Sequence, residues 1–222
     1  MPVECVTYDL FIPAMSRCPV VENLTLHATD SIPHDLFQPL PAGVLPRLKS
    51  YQGPHHLAAQ FLTGRNAKRV EISVPCKPHR IERSVVKLDR GLEALSFRLD
   101  SADLPPTLLE TLHCTFPTLS SLAIPEPALS SSDMNAVLNA VPAHHALAHF
   151  TARIQGRDKF NLWIPPDEAV ADAASTFNKV RNALLKTYPS LTSVRFLYGV
   201  EGGSVLWRRS TASGGRFVQV SR

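Results

Sequence analysis

Apolar positions recur along this chain in one spacing: an apolar residue, two others, a second apolar residue, one other, and a third. Full copies stand at Val21, Leu24, Leu26; at Leu92, Leu95, Phe97; at Leu119, Leu122, Ile124; at Leu147, Phe150, Ala152; and at Leu191, Val194, Phe196. Weaker copies fall between them, Leu45 with Leu48, and Ala67, Val70, Ile72. Alternate side chains of a strand point to the same side, so the second and third apolar residues of a copy enter one core together. Each copy therefore predicts one short strand. Apolar residues between the copies return at three-to-four spacing, which predicts helices over 54–62, 81–88, 106–113, 133–141 and 166–188. The last carries Ala169, Ala173, Phe177, Val180 and Leu184 along one face, with Pro189 just past its end.

With the middle apolar residue as marker, the copies fall at 24, 48, 70, 95, 122, 150 and 194. All intervals but the last lie close to the range of about 20 to 29 residues typical of leucine-rich repeats. Strand and helix alternating at a short fixed period predict an α/β fold, an irregular leucine-rich-repeat-like solenoid of parallel strands with every helix on one flank. A doubly wound sheet alternates the same elements, but its units run to roughly 30 residues or more and repeat no apolar triplet. Pro19, Pro46, Pro117 and Pro189 supply the joints, each ending a helix and turning the chain into a strand. The long last interval has room for an extra strand at 160–164. Residues 205–209 and 216–220 flank Thr211-Ala212-Ser213-Gly214-Gly215 and predict a hairpin whose Trp207 and Phe217 cover the final repeat. The expected division is a solenoid over 1–200 and a C-terminal capping hairpin over 201–222.

Composition narrows the class. In 222 residues, 44% hydrophobic and 19% charged exclude the disordered class. Nineteen prolines against ten glycines agree with a chain jointed by proline. Four scattered cysteines, an acidic opening and no run of 18 apolar residues predict a reduced compartment, cytoplasmic or nuclear, with no membrane partner.

The net charge of +4 is mild, but its placement is uneven. The positions beside the core residues face outward: Asn23, Thr25, His27; Arg47, Lys49, Tyr51; Arg69, Glu71, Ser73; Ala94, Ser96, Arg98; Ser121, Ala123; His149, Thr151, Arg153; Ser193, Arg195, Leu197. Arg47, Lys49, Arg69, Arg98, Arg153 and Arg195 are basic, and Glu71 is the one acid among these positions. They predict a protein-binding face for an acidic or phosphorylated segment, arginine forming two-pronged contacts. The competing reading is that long basic side chains solubilise an open sheet.

Candidate chemistry is thin. Cys76-Lys77-Pro78-His79, His113-Cys114 and His144-His145 with His149 lack the two close ligand pairs of a structural zinc. Position 146 is Ala where a zincin carries Glu. No metal site or cofactor is expected. Neither a nucleophile elbow nor a phosphate-binding glycine loop is present, and His113 and Cys114, as neighbours on a helix, point apart. The expected class is non-enzymatic; the alternative is a small hydrolase or transferase built on a Cys/His or Asp/His pair in a deep pocket. Nucleic acid is disfavoured because Tyr51 is the lone aromatic among the basic positions.

Cys18-Pro19-Val20-Val21-Glu22-Asn23-Leu24-Thr25-Leu26, Leu45-Pro46-Arg47-Leu48-Lys49-Ser50-Tyr51-Gln52-Gly53-Pro54 and Tyr188-Pro189-Ser190-Leu191-Thr192-Ser193-Val194-Arg195-Phe196, with the closing Trp207-Arg208-Arg209 and Gly214-Gly215-Arg216-Phe217, resemble the leucine-rich-repeat portion of fungal F-box-type proteins. The resemblance spans nearly the whole chain. It implies a protein-interaction module, the target-recognition part of an adaptor for a cullin-based ubiquitin ligase. Members of that family carry a helical F-box ahead of the repeats, and the short stretch before Val21 lacks its Leu-Pro opening, so the box is expected to be absent and contacts to ligase components stay open. No Asn follows the apolar triplets, so the buried Asn ladder of regular repeats is expected to be missing as well.

Overall fold

The computed structural model describes residues 13–27, 40–41, 43–154, 179–198, 203–210 and 216–220. They form a mixed α/β structure around one nine-stranded sheet, open at both edges, whose strands lie in the order of the sequence. The strands are β1 (Asn23–Thr25), β2 (Ser50–Gly53), β3 (Arg69–Cys76), β4 (Ala94–Leu99), β5 (Ser121–Leu129), β6 (His149–Ile154), β7 (Ser193–Tyr198), β8 (Gly203–Ser210) and β9 (Arg216–Val220). Pairing is parallel from β1 to β7 and antiparallel from β7 to β9. Between strands run α1 (His55–Leu62), α2 (Pro78–Val85), α3 (Pro106–Thr115) and α4 (Ser131–Ala140), and a helix α5 at 179–187 precedes β7.

Two backbone devices repeat at the joints. In Cys18-Pro19-Val20-Val21, Leu45-Pro46-Arg47-Leu48, Phe116-Pro117-Thr118-Leu119 and Tyr188-Pro189-Ser190-Leu191 the fourth amide donates to the first carbonyl at 3.1–3.2 Å. Proline, with its φ already set near −65°, fills the second place of such a turn. Next, one carbonyl just ahead of a strand accepts two successive amides from the following joint. The carbonyls are those of Glu22, Lys49, Lys68, Glu93, Ser120 and Ala148, at 2.7–3.1 Å. The Glu22 carbonyl takes the amides of Lys49 and Ser50, the Lys49 carbonyl those of Lys68 and Arg69, and so on to Thr192 and Ser193.

The core lies between the sheet and the helices. Leu24, Tyr51, Val70, Leu95, Leu122, Phe150, Val194 and Trp207 are successive partners across the sheet. Leu57 and Phe61 of α1, Ile81 and Val85 of α2, Leu108 and Leu112 of α3, Met134 and Leu138 of α4, and Val180 and Leu184 of α5 are buried in the same cluster. Each such side chain contributes about 1.5–3 kcal/mol of apolar transfer. Strands β4 and β6 alternate buried and partly exposed residues, as one-sided cover demands.

One strand departs from the expected register. The middle apolar residue of the second copy is Tyr51, not Leu48, because Leu24 pairs with Tyr51 and Tyr51 with Val70. Tyr51, expected on the outward face, is 1% exposed, and Ser50 and Gln52 are the outward residues of β2. The pattern was hidden because the third apolar place is held by Gly53. A Cβ there would stand 2.6 Å from the Tyr51 hydroxyl and 3.2 Å from Leu26 Cβ, so the tyrosine's own ring end fills the space a side chain would take. Its hydroxyl donates to the Pro54 carbonyl at 2.9 Å, satisfying a polar group that burial would otherwise penalise.

The other elements fall near their expected places. Helix α2 begins at Pro78, three residues early, because proline suits the first helical turn. Helix α4 begins at Ser131, where the Ser130 hydroxyl accepts the Asp133 amide at 3.1 Å. The strand expected at 160–164, the first part of the helix expected over 166–188 and the turn at 211–215 lie outside the described residues.

A buried arginine ties the joint before β2 to the end of α1. Arg65 is 4% exposed. Its Nε and Nη2 donate to the Val44 carbonyl at 3.2 and 2.8 Å, Nη2 also to Pro41 at 2.9 Å, and Nη1 to Thr63 at 3.2 Å. Burial lowers its pKa, yet guanidinium stays charged, and carbonyl dipoles replace the missing water.

Two stability predictions follow from these contacts. Gly53→Ala should lower the unfolding free energy by about 1–3 kcal/mol through overpacking against Tyr51; an unchanged urea midpoint would count against this packing. Arg65→Met should lose about 3 kcal/mol or more by leaving several carbonyls unpaired, and Arg65→Lys should recover less than half of it. Full recovery with lysine would show that charge alone, without the planar fork, holds the joint.

Candidate functional site

Strand register sets three outward rows of side chains. The first runs Asn23, Ser50, Arg69, Ala94, Ser121, His149, Ser193, Arg208, and the second Thr25, Gln52, Glu71, Ser96, Ala123, Thr151, Arg195, Leu206, the last of them buried although it shares this face. In the third, Arg98 pairs with Glu126 and Arg153 with Leu197.

The six basic residues singled out from the sequence do not converge. Arg47 is exposed in the turn before β2, and Lys49, just ahead of the strand, pairs with Glu22 at 2.7 Å. Arg69 stands at the start of β3, four strands from Arg195 on β7, or about 19 Å at the usual strand spacing. Arg98 and Arg153 serve the backbone. The ladder shifts register between Ile72 and Cys76, between Ser96 and Arg98, and between Ile124 and Leu129. Pro75, Pro125 and Pro127 lie in the affected stretches and bring no amide hydrogen. Arg98 donates to the Ser73 carbonyl at 3.4 Å and pairs with Glu126 at 3.4 Å, while Arg153 Nε donates to the Pro125 carbonyl at 3.0 Å.

Besides Glu71, three acids that the sequence pattern left out, Glu22, Glu93 and Glu126, enter this surface. Glu22 and Glu93 pair with Lys49 and Lys68 at 2.7 and 3.0 Å, Glu126 with Arg98, and Glu71 accepts from Gln52 at 3.1 Å. Exposed pairs of this kind contribute about 0–1 kcal/mol, but they neutralise Lys49, Lys68 and Arg98 and leave Arg47 and Arg69 as the face's cations in the β1–β5 half without an ion pair among the described residues.

Cations without an ion pair among the described residues sit closest together at the other end. A groove of about 450 Å³ is lined by His149, Thr151, Thr192, Ser193, Arg195, Leu206, Arg208 and Arg209, with no acid among them. Side chains opposite one another in a ladder share a face, so β6 supplies His149 and Thr151, β7 Ser193 and Arg195, and β8 Arg208 and Leu206. His149 Nδ1 and Ser193 Oγ lie 2.8 Å apart. Arg209 Nη1 donates to the Pro189 carbonyl at 3.2 Å. From the sequence, Arg208 is expected in the cap and His149 stands among the outward positions and the rejected metal candidates. Continuation of one sheet into β8 brings both beside Arg195. The run Trp207-Arg208-Arg209 was the available signal.

A second groove, about 470 Å³, lies beyond the C-terminal ends of β3 and β4 and mixes Lys77 and His79 with Glu82, Asp100 and Asp103. Among the described residues no three His, Cys, Asp or Glu side chains converge as metal ligands. His113 is buried and Cys114 exposed, so the two point apart on α3. Burial, then Asp100, push the Cys76 thiol up to about 12.

His113 meets an unforeseen neighbour. Its ring stacks on His144 at 4.5 Å between centroids and meets Tyr188 edge-on at 5.4 Å. Burial, and secondly His144, depress His113 from 6.5 to about 4. Burial lowers His144 as well, against a contact with the Phe116 backbone that raises it. A folded-state pKa below the unfolded value means that the unfolded chain binds the extra proton, so the stabilising effect of neutral His113 is complete above pH 6.5 and is lost as pH falls through about 4. The unfolding free energy should fall by roughly 3 kcal/mol across that window on account of this group. In His113→Phe the decline should be visibly shallower in urea titrations at stepped pH; an identical slope would remove the pair as its cause.

Among the described residues no helix is long and apolar enough to cross a membrane. A scan against protein-family models, a search of curated proteins and a search of solved structures each found no match to this chain.

Proposed function

We propose that the chain is an irregular leucine-rich-repeat-like solenoid, capped by the β8–β9 hairpin, that acts as a non-enzymatic protein-interaction module. In this reading it is the target-recognition part of an F-box-like ubiquitin-ligase adaptor in the cytoplasm or nucleus. The supporting observation is the outward sheet face. Ala94, Ser96, Ser121 and Ala123 form a central tract of small side chains, with longer polar ones on either side. Nine strands at the usual spacing extend about 38 Å, the scale of a standard protein interface. A rigid backbone with low-relief side chains can accept a partner without first reordering, which limits the entropic cost of binding.

The tract also gives the test. Ala94→Arg with Ala123→Arg raises two large side chains where contact is expected, whereas Val86→Arg alters a residue that is 54% exposed on the helical side. In affinity capture from the native cell, the double variant should retain its partners about tenfold less well, a loss of about 1.4 kcal/mol, and Val86→Arg should behave as the parent. Equal capture by the double variant would defeat the proposal. Cullin-ligase components among the lost partners support the adaptor reading; lost partners without them leave a binding module alone.

A further inference from the structure

We propose that the groove across β6, β7 and β8 receives the phosphoryl group of a phosphorylated side chain on the partner polypeptide, clamped between Arg195 and Arg208. The proposal rests on the protein-binding role of the outward face and assigns one position on it.

Charge carries the argument. Arg195 pairs with Leu206 and Arg208 with Ser193 across the antiparallel β7–β8 ladder, so the two arginines are diagonal neighbours about 7–8 Å apart at the backbone. Among the described residues neither guanidinium has an ion pair or side-chain hydrogen bond, unlike the side chains of Lys49, Arg98 and Arg153. Among the described residues no acid lines the groove. Two adjacent guanidinium groups with no counter-charge among the described residues repel each other until an anion enters. A carboxylate brings one negative charge, whereas a phosphate monoester brings about −1.5 to −2 and three acceptor oxygens. That charge matches two arginines, and each planar fork can grip two oxygens. Thr151 and Ser193, beside Arg195 and Arg208, add hydroxyls, and the 2.8 Å contact of Ser193 with His149 orders the floor.

A polypeptide is the source that the surroundings favour. The outward positions of β4 to β8 hold no Phe, Tyr or Trp on which a nucleic-acid base would stack. They hold instead the low tract of Ala94, Ser96, Ser121 and Ala123, which leads into the groove and leaves room for an extended chain.

The test titrates the full chain with a blocked Ala-phosphoserine-Ala tripeptide, its unphosphorylated form and adenosine monophosphate, read by calorimetry and by NMR of arginine Nε–H and backbone amides. The phosphopeptide should saturate with shifts confined to Arg195, Arg208, Thr151 and Ser193, and the unphosphorylated peptide should give none. Arg195→Gln with Arg208→Gln should weaken binding at least about tenfold, Arg69→Gln should leave it unchanged, and the unfolding midpoints of all three proteins should agree. Absence of saturation, shifts spread equally over Lys49, Arg69 and Arg195, or adenosine monophosphate binding tighter than the phosphopeptide would overturn the assignment. Partner capture that survives the double glutamine variant but not Ala94→Arg with Ala123→Arg overturns this inference and leaves the interaction module standing. Phosphopeptide binding at the groove with partner capture indifferent to the Ala94 and Ala123 substitutions does the reverse.

Discussion

A single peptide carbonyl at the head of each of the first six strands holds the parallel part of the sheet in register. At Glu22, Lys49, Lys68, Glu93, Ser120 and Ala148 it accepts two amides from the next joint, so each parallel strand is placed on its predecessor before the ladder proper begins. Parallel pairs need a crossover and are slightly weaker per residue than antiparallel ones. A two-donor anchor at each of the six parallel junctions offsets part of that. Because the acceptor is backbone, the residue bearing it is free to be Glu, Lys, Ser or Ala. Side-chain specificity moves instead to the proline turn before it and the apolar residues after it.

Packing above the anchors works by exchange of volume between neighbouring positions. Tyr51 leaves no space for a side chain at residue 53, and glycine stands there; Ala152 lies between Ile124 and Phe196 in the same tier. Where prolines interrupt the ladders of β3 to β5, arginine forks take over the freed carbonyls. Arg98 and Arg153 are thereby committed to structure, and the basic appearance of the face in the sequence overstates what it can offer a ligand.

What remains available is set by a change of direction. After seven parallel strands, β8 runs back along β7, which places Leu206 opposite Arg195 and Arg208 opposite Ser193. The hairpin closes the core with Trp207 and Phe217 on one side, and on the other contributes half of a cationic groove. Covering the end of the sheet and presenting charge are thus consequences of one alternation along β8. The buried His113–His144 stack lies on the helical side of the sheet, away from the groove.

Much of the fold was legible in the sequence because its determinants are local. A strand with one buried face must alternate, so Leu95 with Phe97 and Phe150 with Ala152 disclosed their own strands, and proline before the turn disclosed the joints. The second strand escaped because its third core place is glycine and its middle one a tyrosine, an outward residue by composition. Only its neighbours Leu24 and Val70 identify it, and the alignment of Pro46 with Pro19 was the one local hint. Which arginines face solvent unopposed was beyond any local reading. That depends on Glu126 entering the face through a shifted ladder and on Arg208 arriving from an antiparallel strand, both of them partnerships between residues distant in sequence. Periodicity along the chain determined what is buried; the pairing of strands in space decided which charges are neutralised, because electrostatic partners are chosen by distance across the sheet and not by order along the chain.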